Sequence, residues 1–158
     1  LMFKVKVQKL TGDAFAPYGD VLDTEGKAPG GEKGLYNWYE KLACVKGADS
    51  VSINLLTAME REFICRRFEM HQRTTETVLP LTGGLIVAVL PKGDVAFCKL
   101  AAFYVPIGKG VSFAPGVWHY APYPIGGDAT CAVIFRDNTG KDDVIFAELD
   151  EDAGFTLI

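Results

Sequence analysis

The sequence predicts an all-β domain: short strands arranged as a jelly-roll barrel, with one short helix near the N-terminus. Helical periodicity is nearly absent, and apolar residues instead alternate with polar ones or form brief runs. Those runs are bounded by Gly, Pro and Asp, in a chain that carries 17 Gly and 8 Pro. They recur every ~8–12 residues, the spacing of strands in β-sandwiches and barrels. A closed or double-sheet arrangement also leaves few strand edges open to aggregation.

The elements follow in order. Phe3–Lys9 alternates apolar and charged residues, as a half-buried strand does. Thr11-Gly12-Asp13-Ala14-Phe15 then offers a capping hydroxyl and an acidic first turn, and the helix must stop by Pro17 and Gly19. Further strands are predicted at Asp20–Asp23, Leu35–Leu42, Val51–Leu56, Glu62–His71, Glu76–Leu79 and Gly84–Leu90. The last five are Ala96–Tyr104, Gly110–Phe113, Trp118–Tyr120, Thr130–Phe135 and Val144–Glu148. The stretch Glu25–Lys33, rich in Gly and Lys, reads as a loop inside one domain over residues 1–158.

Composition narrows the function classes. Apolar residues make up 49% and charged residues 23% of the chain, ordinary for a globular protein. No apolar run approaches the ~20 residues of a membrane span, and Leu1 to Lys9 lacks the pattern of a secretory leader. A cytoplasmic protein that does not engage membranes is therefore expected. Net charge is −4, and Lys and Arg form no run longer than Arg66-Arg67, so a nucleic-acid partner is not expected. Cys44, Cys65, Cys98 and Cys131 contain no C-x-x-C pair. That excludes a zinc ribbon and leaves buried free thiols as the simplest reading.

The two histidines carry the chemistry. His71 stands in Glu69-Met70-His71-Gln72-Arg73-Thr74-Thr75-Glu76, with Gly83 following, and His119 in Pro115-Gly116-Val117-Trp118-His119. Side chains at i and i+2 share a strand face, so Glu69 and His71 point the same way, with Arg73 on that face too. Glu76 lies past a bend and can return on the next strand.

These segments resemble the two cupin motifs, commonly written G-x5-H-x-H-x3–4-E-x6-G and G-x5-P-x-G-x2-H-x3-N. Glu69 stands at the first histidine position, while His71, Glu76 and Gly83 match with the correct spacing. The second motif survives as Pro115-Gly116-x-x-His119, without the residue between Pro and Gly and without the final Asn. The resemblance implies a cupin-type double-stranded β-helix in which Glu69, His71, Glu76 and His119 converge on one divalent metal. Mixed imidazole and carboxylate donors suit Mn, Fe, Ni or Zn and do not choose among them.

A narrower resemblance is to the bacterial ureidoglycolate lyase family. It rests on Ala14-Phe15-Ala16-Pro17-Tyr18-Gly19-Asp20-Val21, Ser52-Ile53-Asn54, Phe68-Glu69-Met70-His71 and Val117-Trp118-His119. It covers residue 14 to about 136. The chain departs from that family's pattern around the pocket. It has Glu76 for Gln, Tyr120 for a second His, Pro115-Gly116 for Arg-Asn, and Met70 for Arg.

This resemblance implies an enzyme of purine catabolism, on the route that degrades allantoin, and a homodimer is expected. Its members cleave ureidoglycolate, a small molecule, to glyoxylate and urea. That reaction needs a base for the hydroxyl proton, an acid for the departing nitrogen and a cation for the carboxylate. Glu76, as ligand or base, and Tyr120 are the catalytic candidates. Arg73, Arg67 and Trp118 are the candidates for holding substrate. Two alternatives stay open at this point: another metal cupin enzyme, such as an isomerase or Fe(II) dioxygenase, and a non-catalytic cupin that binds a small ligand. The aromatic run Tyr36-Asn37-Trp38-Tyr39 reads equally as core or as dimer contact.

Overall fold

The computed structural model describes residues 2–157. Its strands are β1 (Phe3–Lys9), β2 (Gly19–Leu22), β3 (Gly30–Glu32), β4 (Tyr36–Trp38), β5 (Val51–Ala58) and β6 (Ile64–Met70). They continue with β7 (Glu76–Pro80), β8 (Leu85–Val89), β9 (Ala101–Val105), β10 (Gly110–Phe113), β11 (Tyr123–Pro124), β12 (Ala129–Arg136) and β13 (Ile145–Thr156). Two one-turn helices, α1 (Gly12–Phe15) and α2 (Thr139–Asp142), complete the set with a 3-10 turn at Phe97–Lys99.

The strands form a six-stranded sheet in the order β11-β8-β9-β1-β13-β6, a five-stranded sheet β2-β10-β7-β12-β5, and the hairpin β3-β4. This is the expected cupin-type jelly roll, built as two stacked sheets rather than an evenly closed barrel. α1 begins as predicted, with the Thr11 hydroxyl accepting the Ala14 N–H at 3.2 Å. Its buried Phe15 meets Phe103 edge-on, centroids 5.2 Å apart, and anchors the entry into the first core.

Strand alternation builds two cores. Leu85, Val87 and Val89 on β8, with Phe103 on β9, face Val78, Val111, Phe113, Cys131 and Val133 of the five-stranded sheet. Ile86, Ala88 and Ala102 point the other way, toward Val5, Phe68, Leu149, Phe155 and Trp118. The six-stranded sheet curls around this second core because β1 divides its pairing. Phe3 to Lys6 pair with β13, and Val7 to Lys9 with β9. Single bridges join Leu90 to Trp118 and Glu69 to His119, so that segment links the end of β8 to the end of β6.

Several expectations are corrected. The predicted strand Trp118–Tyr120 is only these two bridges, because the Pro115-Gly116 turn delivers too short a segment for a ladder. Leu35–Leu42 is a strand only over Tyr36–Trp38, and it pairs with Gly30–Glu32, inside the stretch read as loop. Ala96–Tyr104 opens with the 3-10 turn and becomes a strand at Ala101. Val144–Glu148 extends to Thr156, past the acids Asp150-Glu151-Asp152. A register shift between Glu148 and Ala153 lets the chain carry them outside the ladder.

Tyr36 and Trp38 are exposed, which removes the core reading of that aromatic run. The edge strand β5 also exposes Ile53 and Leu55. All four cysteines are free, but only Cys65 and Cys131 are buried; Cys44 lies exposed in an irregular segment and Cys98 in the exposed 3-10 turn.

Candidate metal centre

Three pieces of chain meet at one end of the space between the sheets. β6 and the corner after it bring Glu69 and His71, the first residue of β7 is Glu76, and the Pro-Gly turn brings His119. The two histidine segments are joined directly. Gly116 N–H donates to the His71 carbonyl at 2.7 Å, and Glu69 and His119 exchange main-chain hydrogen bonds at 2.7 and 2.9 Å. Gly116 has φ +86°, a conformation that glycine adopts without strain, so the turn depends on it.

Alternation then decides which side chains face the site. Val117 enters the first core, Trp118 the second, and His119 turns back toward the first. There its ring stacks on Phe113.

One donor atom from each of Glu69, His71, Glu76 and His119 lies within 4.8 Å of the others. His71, Glu76 and His119 are buried and Glu69 is half-buried, so solvent meets the cluster at Glu69. His71 Nδ1 lies 2.7 Å from the Asp143 carbonyl, and His119 Nδ1 lies 3.0 Å from the Val117 carbonyl. A carbonyl can only accept, so each Nδ1 carries a proton and donates it. In the neutral rings each Nε2 therefore presents a lone pair, and both face the same oxygen. His71 Nε2 is 2.9 Å and His119 Nε2 3.4 Å from Glu76 Oε2. His119 Nε2 is buried without a hydrogen-bond partner.

Three acceptors turned on one another repel unless a cation stands among them. Either protons or a metal ion can meet that demand. Without metal, protons do so. Burial opposes charge on His71, but the Glu76 hydrogen bond and charge outweigh it and hold the imidazole above its ordinary value. Burial likewise pushes Glu76 up, yet the charge of His119 and the hydrogen bond and charge of His71 prevail and hold it at about 2. Glu69 is raised, chiefly by burial. The residues fit a metal ion: borderline nitrogen and hard oxygen donors, with each imidazole oriented through its other nitrogen by a backbone carbonyl. The cluster could hold such an ion.

The other predicted site residues fall in different places. Arg67 shares the Glu69 face of β6, with its guanidinium 4.1 Å over the Phe146 ring, and Phe146 pairs directly with Glu69. Arg73 is exposed and engaged by Asp142 and Asp143. Trp118 is not at the cluster. Its indole lies in the second core and donates to the Gly93 carbonyl at 2.8 Å. Tyr120 is half-buried and stands by alternation on the Trp118 side, within electrostatic reach of Tyr123. Asp143, which orients the His71 imidazole, carries no motif and went unmarked in the sequence, whereas Val117, whose carbonyl orients His119, lies inside the second motif.

The profile of the ureidoglycolate lyase family matches residues 2–153. The chain belongs to this family. A ureidoglycolate lyase of Pseudomonas paraeruginosa is 33% identical over 157 residues, covering 93% of each chain. One from Burkholderia mallei is 32% identical over 147 residues, 89% of this chain and 86% of its own. Another, from Stutzerimonas stutzeri, is 32% identical, with 93% and 92% covered. Among solved structures, an oxalate decarboxylase of Bacillus subtilis superposes with a TM-score of 0.44 at 17% identity. That match covers 66% of this chain and 24% of the decarboxylase. Among the described residues, no helix is long and apolar enough to cross a membrane.

Proposed function

We propose that this member of the ureidoglycolate lyase family cleaves ureidoglycolate to glyoxylate and urea, with a divalent metal held by His71, Glu76 and His119 and with Glu69 beside it. The observation that carries the metal assignment is the pair of Nε2 lone pairs aimed at one Glu76 oxygen. When bound, the metal supplies a Lewis acid that lowers the cost of ionising the substrate hydroxyl.

In the reaction the hydroxyl proton leaves, the C–O bond becomes a carbonyl, and the C–N electron pair departs with urea. The urea nitrogen takes up a proton. Glu76 lies buried at the centre of the cluster, with both Nε2 atoms facing its Oε2; we assign it to ligation. Glu69 sits at the solvent edge of the cluster with its carboxyl raised. We assign it the proton transfer, from hydroxyl to leaving nitrogen. Arg67 lies on the same face, steadied over Phe146, and we assign it the substrate carboxylate. Tyr120 and Trp118 have no part in this scheme, because their side chains lie toward the other core.

We read residues 1–158 as one cupin domain of a cytoplasmic homodimer serving allantoin degradation. The exposed Tyr36, Trp38, Ile53 and Leu55 offer the apolar surface for self-association. The deciding experiment supplies purified protein with Mn, Ni, Zn or Fe in turn and measures glyoxylate release from ureidoglycolate. Release no faster than the spontaneous decay with every metal rejects the activity.

A further inference from the structure

We propose that Asp143 is a positioning residue for His71, setting its tautomer and holding the corner that carries it. Asp143 follows α2, its N–H donating to the Thr139 carbonyl at 3.0 Å. Only 6% of the residue is exposed. A carboxylate that buried is tolerated where donors surround it, and here they come from one stretch of chain. Oδ1 accepts the Gln72 N–H and Oδ2 the Arg73 N–H, each at 2.9 Å. Arg73 Nε lies 3.9 Å from Oδ1. The Asp143 carbonyl takes the His71 Nδ1 proton at 2.7 Å. One residue therefore grips 71, 72 and 73 in succession.

The grip matters because of where it acts. Residues 71–75 lie between β6 and β7 and belong to neither ladder, so sheet pairing does not hold the 72 and 73 N–H groups. His71 and Glu76 sit on opposite sides of this corner. Their 2.9 Å contact requires both the corner and the imidazole to be held. A carbonyl on Nδ1 also dictates which nitrogen is free for ligation. His119 provides an internal control, since the Val117 carbonyl of its own turn holds its Nδ1.

The metal half of the test rests on the metal reading proposed above, and the tautomer half does not. Asp143→Asn leaves one oxygen to accept where two N–H groups ask, and sets an NH2 against the other. The experiment records imidazole nitrogen spectra of the two histidines in chelator-treated protein, at a pH above their titration. In parallel, chelator competition measures Ni and Zn affinity. Asp143→Asn should mix the His71 tautomers, leave His119 unchanged, and weaken metal binding by about 10- to 100-fold.

Asp142→Asn, whose side chain touches only the exposed Arg73 and the half-buried Arg136, should match the parent protein in both. If Asp143→Asn fails to fold, Asp143→Ser keeps one acceptor and is read the same way. A protein that takes up no metal while the His71 tautomer still depends on Asp143 rejects the metal reading and keeps this one. An unaltered His71 tautomer in the folded variant overturns it, as does equal loosening of both histidines.

Discussion

The His119 imidazole lies flat against the Phe113 ring, with centroids 4.5 Å apart and planes 8° from parallel. Phe113 ends β10 and is 2% exposed, so a rigid sheet side chain forms the wall that holds this candidate ligand in plane. Replacing it with Ala should cost about 3–5 kcal/mol in denaturant unfolding, through the cavity left behind. Leu keeps most of the apolar volume and should cost far less. Phe113→Leu should nonetheless weaken metal binding, because the flat support of the imidazole is gone. Metal affinity equal to that of the parent protein would show that the stack has no bearing on the site.

His71→Ala and His119→Ala should each abolish stoichiometric metal uptake while the chain stays folded. Each removes a donor nitrogen, whereas the two cores lie mostly elsewhere. Elemental analysis of untagged protein, alongside circular dichroism, decides it. Full metal content in both variants would mean the donors are wrongly assigned.

Glu76→Gln separates ligand from base. As a ligand, Glu76 should lose metal affinity first and glyoxylate release in proportion, with activity recovering at high metal concentration. As a base, the change should leave metal content intact and lower kcat by roughly 100-fold or more. Both Nε2 atoms face one Glu76 oxygen at the buried centre of the cluster, so the first outcome is expected.

Arg67→Ala should raise KM for ureidoglycolate with a smaller effect on kcat, since it removes a carboxylate contact outside the metal donors. Arg73→Ala should leave both constants nearly unchanged, because that side chain is taken up by Asp142 and Asp143. A reversal of the two results would exchange their roles.

Stability of metal-stripped protein should peak between about pH 4.5 and 6.5, the ordinary values of Glu and His. His71 is raised in the fold, so its contribution is complete below 6.5 and disappears as pH climbs through the folded value. Glu69, raised by burial, acts in the same direction but from 4.5 upward, which tilts the maximum toward its acid end. Glu76 is lowered, so its contribution is complete above 4.5 and is lost as pH falls toward about 2. Saturating Zn should reverse the alkaline limb, because the metal takes the place of the protons and binds better as they leave. Thermal unfolding across pH, with and without Zn, tests both limbs; parallel curves would contradict a shared site.

The sequence made the strand-rich fold readable because Gly, Pro and Asp punctuate it so regularly. The four clustered donors were readable because motif spacing survives between Glu69 and Gly83 and again from Pro115 to His119. Trp118 was misplaced for want of parity. Its neighbour His119 faces the cluster, and only the bridges to Leu90 and Glu69 reveal which residue of the segment turns inward. The far half of β13 was hidden by three consecutive acids that a register shift carries out of the ladder. Asp143 was illegible for a different reason. Its importance lies in backbone groups about seventy positions away, and no local pattern announces such a contact.

β13 couples distant stretches of chain. Ala153 pairs with Phe3 on one side, while Phe146 and Ala153 pair with Glu69 and Cys65 on the other. Such non-local pairing means high contact order, so loop-closure entropy must be overcome before the contacts form and folding is slow. During synthesis, Phe3 to Lys6 of β1 wait for residues 153–156 before their parallel partner arrives, and the second core stays open until then. Asp143 lies just ahead of that strand. The candidate ligand His71 is therefore seized from residue 143 only as the closing strand docks, which makes the site one of the last features of the native state to form.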